Sequence, residues 1–401
     1  MKAIVLTIKA NSPLAMGRRK LGMVNEAEDY IPGSVIRGAI AQEILQQTGY
    51  QNQDLSQNGG DFKSLFLDES CAIFHNAYPS SENQISSVIP ATAVSSKTDP
   101  GFKHKGNGVF DTLIDRFCAE YYQHPYDPNC PQDQGRVEPF SGFYTVENGN
   151  YQTHSISKRL LTRNGINRRR NVAEESILYS LEVLNESKGE NQPSIYQGKI
   201  IVTNDHLANT LAAYINRNPQ RFRLGSARSR GLGKVTIKAT VTEMISEVSS
   251  RLENFNQSLQ MRWKKWGNLL GKTSDQLKQT YFTVNLEAEA ILTNQWRKTT
   301  VLTPEMLQAE IEKKDETLQL HTAYTSYDYR SGWNTAWGLI KDQVLVINRG
   351  GVYFFSTAKP ELWEETLTNL ELTGIGERTG EGFGQVRICS PFHTIFREEA
   401  K

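Results

Sequence analysis

Cysteine is scarce. The 401 residues hold four (Cys71, Cys118, Cys130 and Cys389), too widely spaced to read as a disulfide scaffold. A reducing, cytoplasmic setting is the expectation. Long apolar runs are missing as well. None approaches the roughly 20 residues a membrane span needs, so no membrane partner is expected. The opening run Met1-Lys2-Ala3-Ile4-Val5-Leu6-Thr7 is too short for a signal peptide. Net charge is nearly absent at +1, so any affinity for nucleic acid has to come from local clusters. Recognisable catalytic spacing is lacking too. No Ser-His-Asp or Cys-His arrangement stands out, and no histidine lies near the glycine-rich segments. Two phosphate motifs fail on context. Gly267-Asn268-Leu269-Leu270-Gly271-Lys272-Thr273 is one residue short of a P-loop and follows a helix rather than a strand. Gly374-Ile375-Gly376-Glu377-Arg378-Thr379-Gly380 has the wrong spacing for a dinucleotide fingerprint and also follows a helix.

Glycine is what the chain has in the right places. One loop reads Arg223-Leu224-Gly225-Ser226-Ala227-Arg228-Ser229-Arg230-Gly231-Leu232-Gly233-Lys234-Val235. Its counterpart reads Gly374-Ile375-Gly376-Glu377-Arg378-Thr379-Gly380-Glu381-Gly382-Phe383-Gly384-Gln385-Val386. Such loops turn tightly at little steric cost and bring backbone amides close to phosphates or to another chain. A strand pattern, a helix pattern, the loop and a second strand pattern occur in that order twice. This is the closing part of a ferredoxin-like unit, and its repetition argues duplication. The fold expectation is α+β, with two ferredoxin-like (RRM-like) domains: residues 1–242 and 281–401, joined by a helical bridge over 243–280.

Ala3 to Lys9 alternate as a strand, and Ser34 is placed to cap a helix whose stripe is Val35, Ile36, Ala39, Ile40 and Ile44, with Gly49 ending it. Asn204 caps a helix to about Asn216, and Pro360 opens one to about Leu370. Thr303 to Lys314 reads as a short helix. Residues 79–147 show no firm periodicity and read as a loop-rich insertion.

The densest positive cluster is Lys158, Arg159, Arg163, Arg168, Arg169 and Arg170, with Asn164 and Asn167 between. With Arg228, Arg230 and Lys234 it would line a nucleic-acid groove; the alternative is a solvated basic face paired with Glu174 and Glu175. Arg18, Arg19 and Lys20 form a smaller cluster. The second glycine loop balances Arg378 with Glu377 and Glu381, so it works by amides and shape or packs on a neighbour. Glu26, Glu28 and Asp29 could hold a divalent cation such as Mg²⁺ or orient a ribose hydroxyl, or be a solvated loop. Cys118, His124 and Cys130 are too few for a zinc site, and no cofactor is expected.

Several ordered motifs resemble those of CRISPR-associated RAMP proteins. Tyr30-Ile31-Pro32-Gly33-Ser34-Val35-Ile36-Arg37-Gly38 resembles their IPGSS-(L/I)-(K/R)-G segment, and Gly225 to Gly233 their G-x-x-R-S-R-G-L-G loop. Asn164-Gly165-Ile166-Asn167-Arg168 with Ala173-Glu174-Glu175-Ser176-Ile177-Leu178-Tyr179 is similar to their I-(D/N)-R…A…G-x-L-Y segment. Gly332-Trp333-Asn334, Trp337-Gly338 and Gly350-Gly351-Val352-Tyr353, with the last glycine loop, look most like the large two-domain RAMP subunit of type III-D effectors. The resemblance implies a crRNA-binding subunit that holds the 5′ handle of the guide. It would contact target RNA through the complex and assemble with the large and backbone subunits in antiviral defence. The RNA contacts it implies are Arg18, Arg19, Lys20, Ser34, Arg37, Arg159, Arg163, Asn167, Arg168, Arg169, Arg170, Gly225, Arg228, Ser229, Arg230, Gly231, Gly233 and Lys234. From the second loop it adds Gly376, Arg378, Gly380, Gly382 and Gly384. Backbone relatives carry a catalytic aspartate ahead of the IPGS helix. Here that loop is short, with Asp29 directly before Tyr30. The alternative reading is a metal-dependent endoribonuclease acting through Asp29 and Glu26.

Overall fold

Alternation at the N-terminus produces the strand that organises the first half: Ile4, Leu6 and Ile8 are fully buried on one face. A computed structural model of the chain describes residues 2–21, 24–50, 53–68, 72–167, 172–189, 192–272, 277–334 and 338–401. The first half contains β1 (Lys2–Ala10), α1 (Gly33–Thr48), β2 (Ile73–Phe74), β3 (Ile195–Val202), α2 (Asp205–Arg217) and β4 (Val235–Glu243). The sheet runs β4-β1-β3-β2, each neighbouring pair antiparallel. After the long helix α3 (Val248–Leu269), the second half contains β5 (Thr280–Leu286), α4 (Pro304–Gln308), β6 (Gln319–Tyr324), β7 (Val352–Thr357), α5 (Glu364–Thr373) and β8 (Val386–Ile388). Its sheet runs β8-β5-β7-β6, again antiparallel, so the two halves share one strand order. The chain is an α+β protein. Among the described residues no helix is long and apolar enough to cross a membrane.

Local chemistry explains most boundaries. Asn204 caps α2, its side chain accepting from the amides of His206 and Leu207 at 2.9 and 3.2 Å. Gly49 ends α1 in the left-handed region at φ 74°. Ser34 is not the cap of α1. The helix starts at Gly33, whose amide donates to the Asn76 side-chain oxygen at 2.8 Å, so a neighbouring segment supplies the acceptor. Helix α3 begins at Val248 rather than Glu243, because β4 stays paired with β1 as far as Glu243 opposite Lys2. Helix α4 stops at Gln308, whose side chain closes the following turn onto the backbone of Asp315. Pro360 starts a 3-10 turn, and α5 begins only at Glu364.

The insertion is structured. It holds short strands at Ser87–Val88, Ala93–Ser96, Val109–Asp111, Val137–Pro139 and Phe143–Glu147, and a helix at Leu113–Tyr121. Strands of two to five residues are too short to show a period, so their sequence looks like loop. Leu113, Ile114 and Cys118 join the second core beside Phe255, Leu259 and Trp263. Buried Asp115 accepts from Arg262 at 2.5 and 2.6 Å and from the Trp266 indole at 2.8 Å. Ile89, Phe102 and Phe110 pack with Phe392 and Ile395 near the C-terminus. A segment inserted in the first half of the sequence therefore packs on the second half in space.

The glycine loops are copies in detail. Gly225 and Gly376 both have φ 85°, Ala227 and Arg378 are left-handed at 54° and 60°, and Gly231 and Gly382 lie at 85° and 96°. Every pair is separated by the same number of residues. The bonds repeat too. Ser226 and Glu377 amides donate to Ala15 and Ile291 carbonyls, and Leu224 and Ile375 amides to Gly233 and Gly384. The surroundings differ. A Cβ on Gly231 would meet open space, whereas one on Gly382 would lie 2.8 Å from the Phe74 carbonyl and the Asn76 side chain. Gly231→Ala is expected to cost about 1 kcal/mol, the left-handed penalty alone. Gly382→Ala should cost about 3 kcal/mol, adding a clash the two backbones cannot relieve. Urea unfolding of both variants checks this, and equal losses would contradict the asymmetry.

Candidate nucleic-acid interface

The first glycine loop ends in a 3-10 turn, Arg228–Arg230, that holds three polar side chains at the surface. Ser229, Arg230, Gly231 and Lys234 are exposed and Arg228 is half-buried. The amides of Ser226, Arg230, Gly231 and Gly233 donate to carbonyls inside the protein. What the loop presents outward is therefore mainly guanidinium and hydroxyl groups. The Arg230 guanidinium sits 5.4 Å from the centre of the Tyr179 ring and donates to its hydroxyl; Arg228 donates to Gln42 at 2.6 Å. Tyr179 belongs to a long hairpin, Lys158–Asn167 against Val172–Leu184, with a bulge between Asn164 and Ile166. The loop and the basic hairpin thus meet through Arg230 and Tyr179.

Within the basic segment Lys158–Asn167 is a strand. Arg163 is half-buried on it. Arg159 is tied to Glu186 at 3.0 Å and to Asn185. Lys158 donates to the Ala27 carbonyl at 2.6 Å. Arg168, Arg169 and Arg170 lie outside the described residues. Asn167, Arg19 and Lys20 are described only as backbone of their strands. Arg18 pairs with Asp328 of the second half at 2.8 Å, and Arg37 donates to the Phe66 carbonyl. Both spend part of their donor capacity holding the fold.

The second loop has a different surrounding. Arg378 forks onto Glu381 and lies 4.9 Å from the centre of the Phe383 ring, and Glu377 pairs with Lys298. Gly376 is exposed and Gly380 half-buried, but Gly382 and Gly384 are buried. Gly382 packs against Gly33 and Phe74 of the first half, and the Gly384 amide donates to the Glu289 carbonyl. Of the two sequence-level alternatives for this loop, packing on a neighbour describes its buried end.

Two of the acidic trio, Glu28 and Asp29, form an ionic seam between the halves. Both oxygens of Asp29 accept from Arg349 at 2.8 Å, and that guanidinium lies 5.0 Å from the ring centres of both Tyr30 and Phe143. Arg330 is held between buried Glu28 and buried Glu289. Glu26 is half-buried on the neighbouring strand Val24–Ala27. A cation at Asp29 would have to displace an arginine. Sequence reading found Glu28 and Asp29 but not their partners, which lie some 300 residues away without a local signal. Burial, reinforced by Glu289 and opposed by Arg330, pushes the Glu28 carboxyl up to about 7. Cys118 is buried, the Cys130 thiol donates to the Asn107 carbonyl, and the His124 ring contacts the Pro125 carbonyl at 2.7 Å. Among the described residues no three His, Cys, Asp or Glu side chains converge on a point that would hold a metal ion.

Two outcomes are expected. Asp29→Ala should cost about 1–2 kcal/mol in urea unfolding, because Arg349 loses its partner while half-screened by solvent. Glu28→Gln should show a pH-dependent gain. Below about pH 4.5 the carboxyl is protonated in both states; as pH rises toward 7 the unfolded chain ionises first, so wild type loses stability. The variant escapes that loss, by up to about 3 kcal/mol at pH 8. Thermal melts between pH 5 and 8 measure it, and a gap that does not widen with pH would contradict the assignment.

No protein-family model matches the chain, and no curated protein matches it. Among solved structures it is similar to a chain of the Type III-B Cmr-beta complex bound to cognate target RNA, at 13% identity and TM-score 0.33, covering 59% of this chain and 96% of that one. A second similar chain, from the same complex with cognate target RNA and AMPPnP, has 12% identity and TM-score 0.33, covering 87% and 86%. A third, from the complex in its apo state, has 14% identity and TM-score 0.31, covering 59% and 97%. Likenesses this distant carry no functional argument by themselves.

Proposed function

We propose that this chain is a guide-RNA-binding subunit of a type III CRISPR ribonucleoprotein. It would be built of two ferredoxin-like modules, over about 1–242 and 281–401, with the helix between as bridge. The strand orders support the modules: each half is a βαββαβ series with its first and third strands central. The ordered RAMP-like motifs support the family. The observation that carries RNA binding is the divergence of two equal loops. They share one backbone path, yet the far end of the second is packed against the first half while the first turns Arg228, Ser229, Arg230 and Lys234 outward beside a basic hairpin. Guanidinium forks suit phosphates, and Arg230 on Tyr179 arrives pre-ordered. Such a face reads RNA by backbone, shape and ribose hydroxyls. Within an effector particle it would hold the 5′ handle of the guide and sit against the large and backbone subunits.

The test is the Arg228→Glu/Arg230→Glu pair, purified in the assembled particle and sequenced for bound RNA. The expected result is about tenfold less guide retained at moderate salt, with a shallower salt dependence. Undiminished guide in the variant particle would overturn the reading.

A further inference from the structure

An open groove of about 1030 Å³ lies between the insertion and the second half, lined by Arg18, Asp29 and Lys158 together with residues that no sequence motif marks. One wall is the tight loop Pro100-Gly101-Phe102-Lys103-His104-Lys105-Gly106-Asn107-Gly108. Its shape is fixed from within: the Gly108 amide donates to Gly101 at 2.9 Å and the Gly106 amide to Phe102 at 3.0 Å. The Phe102 ring anchors it in the core formed with Phe392. Gly101 and Gly108 supply φ values of 138° and 99° that other residues rarely reach. At its tip Lys103, His104 and Lys105 are exposed, without an ion-pair partner among the described residues. In a chain of net charge +1 this is a concentrated positive edge. Arg349 and Lys158 line the groove as well.

The groove also offers aromatic faces. Tyr151 lines it half-buried, stacked on Tyr144 with centroids 5.9 Å apart and planes at 15°, and braced by Phe102 at 5.4 Å. Phe140 lines it half-buried too. A ring held this way loses little freedom when a base stacks on it. Cations that track a backbone beside rings that take bases are the two parts of a single-strand binding channel. The volume is at the upper limit of what a small ligand fills, about 300–1,000 Å³, and the groove is open, which fits a polymer.

We propose that this groove binds a segment of single-stranded RNA, with phosphates along Lys103 and Lys105 and a base on Tyr151. An acidic polypeptide would use the lysines but leave the rings idle. The lysines lie on the insertion and Tyr151 on the strand that follows it, and neither glycine loop lines the groove, so the site goes beyond the guide-binding face described above.

The experiment uses the full chain and a fluorescein-labelled ten-nucleotide oligouridylate, followed by anisotropy across a salt series. Lys103→Glu/Lys105→Glu should weaken binding about tenfold or more and flatten the salt slope by about 1 to 2. Tyr151→Leu should weaken it about fivefold or more with the slope unchanged, since stacking releases no counterions. Wild-type affinity in the lysine variant overturns the groove. So does a decaglutamate peptide that binds wild type as tightly as the RNA, with Tyr151→Leu without effect. Arg228→Glu/Arg230→Glu separates the two surfaces. If it alone weakens binding, the groove fails; if the lysine pair weakens binding, the groove stands, whatever guide retention in the particle shows for the other face.

Discussion

Arg330 is held between a carboxylate from each half of the chain, Glu28 and Glu289, and with Arg349 on Asp29 it fixes how the two sheets meet. Taking such ionisable groups out of water is costly, as the raised Glu28 carboxyl shows, and an apolar contact of the same size would hold as well or better. What the ions supply is direction. A guanidinium fork donates to its carboxylates in one plane only, whereas an apolar seam tolerates sliding. The groove beside the insertion has Arg349 in its wall, so its width depends on the same seam.

One loop conformation in two different surroundings accounts for the rest of the plan. Two loops with one backbone conformation arose on equivalent edges of two equivalent sheets. The second lies where the first half docks, and its glycines now serve close approach between backbones. The first has no such neighbour at Gly231 and kept a surface of arginines. The same glycine spacing thus ended in two different environments, set by the packing of the halves.

Much of this was legible in the sequence. The alternating strand at the N-terminus, the Asn204 cap, the Gly49 stop and the loop repeat are local, and local chemistry decides them. What escaped was non-local. Ser34 looks like a cap because nothing nearby reveals that Asn76 supplies the acceptor. Residues 79–147 look structureless because their strands are too short for a period and their core comes from α3 and the C-terminus. At the candidate interface the glycine loop and its arginines were visible, but their tyrosine partner, the partners of Glu28 and Asp29, and the lysine loop over Tyr151 were not.

The docking of the Leu113–Tyr121 helix on α3 bears on how the molecule is made. That helix leaves the ribosome well before Arg262 and long before Phe392, with which the insertion shares its apolar contacts. At about 5–20 residues per second, the delay before Phe392 emerges is on the order of tens of seconds. Until Arg262 and its neighbours on α3 emerge, Ile114 and Cys118 lack Phe255, Leu259 and Trp263, and Asp115 waits without its arginine. The N-terminal sheet can close on its own strands only once β4 is made, and the insertion's Phe102 and Phe110 still lack Phe392 and Ile395 at that point, so this apolar surface needs shielding until that segment arrives.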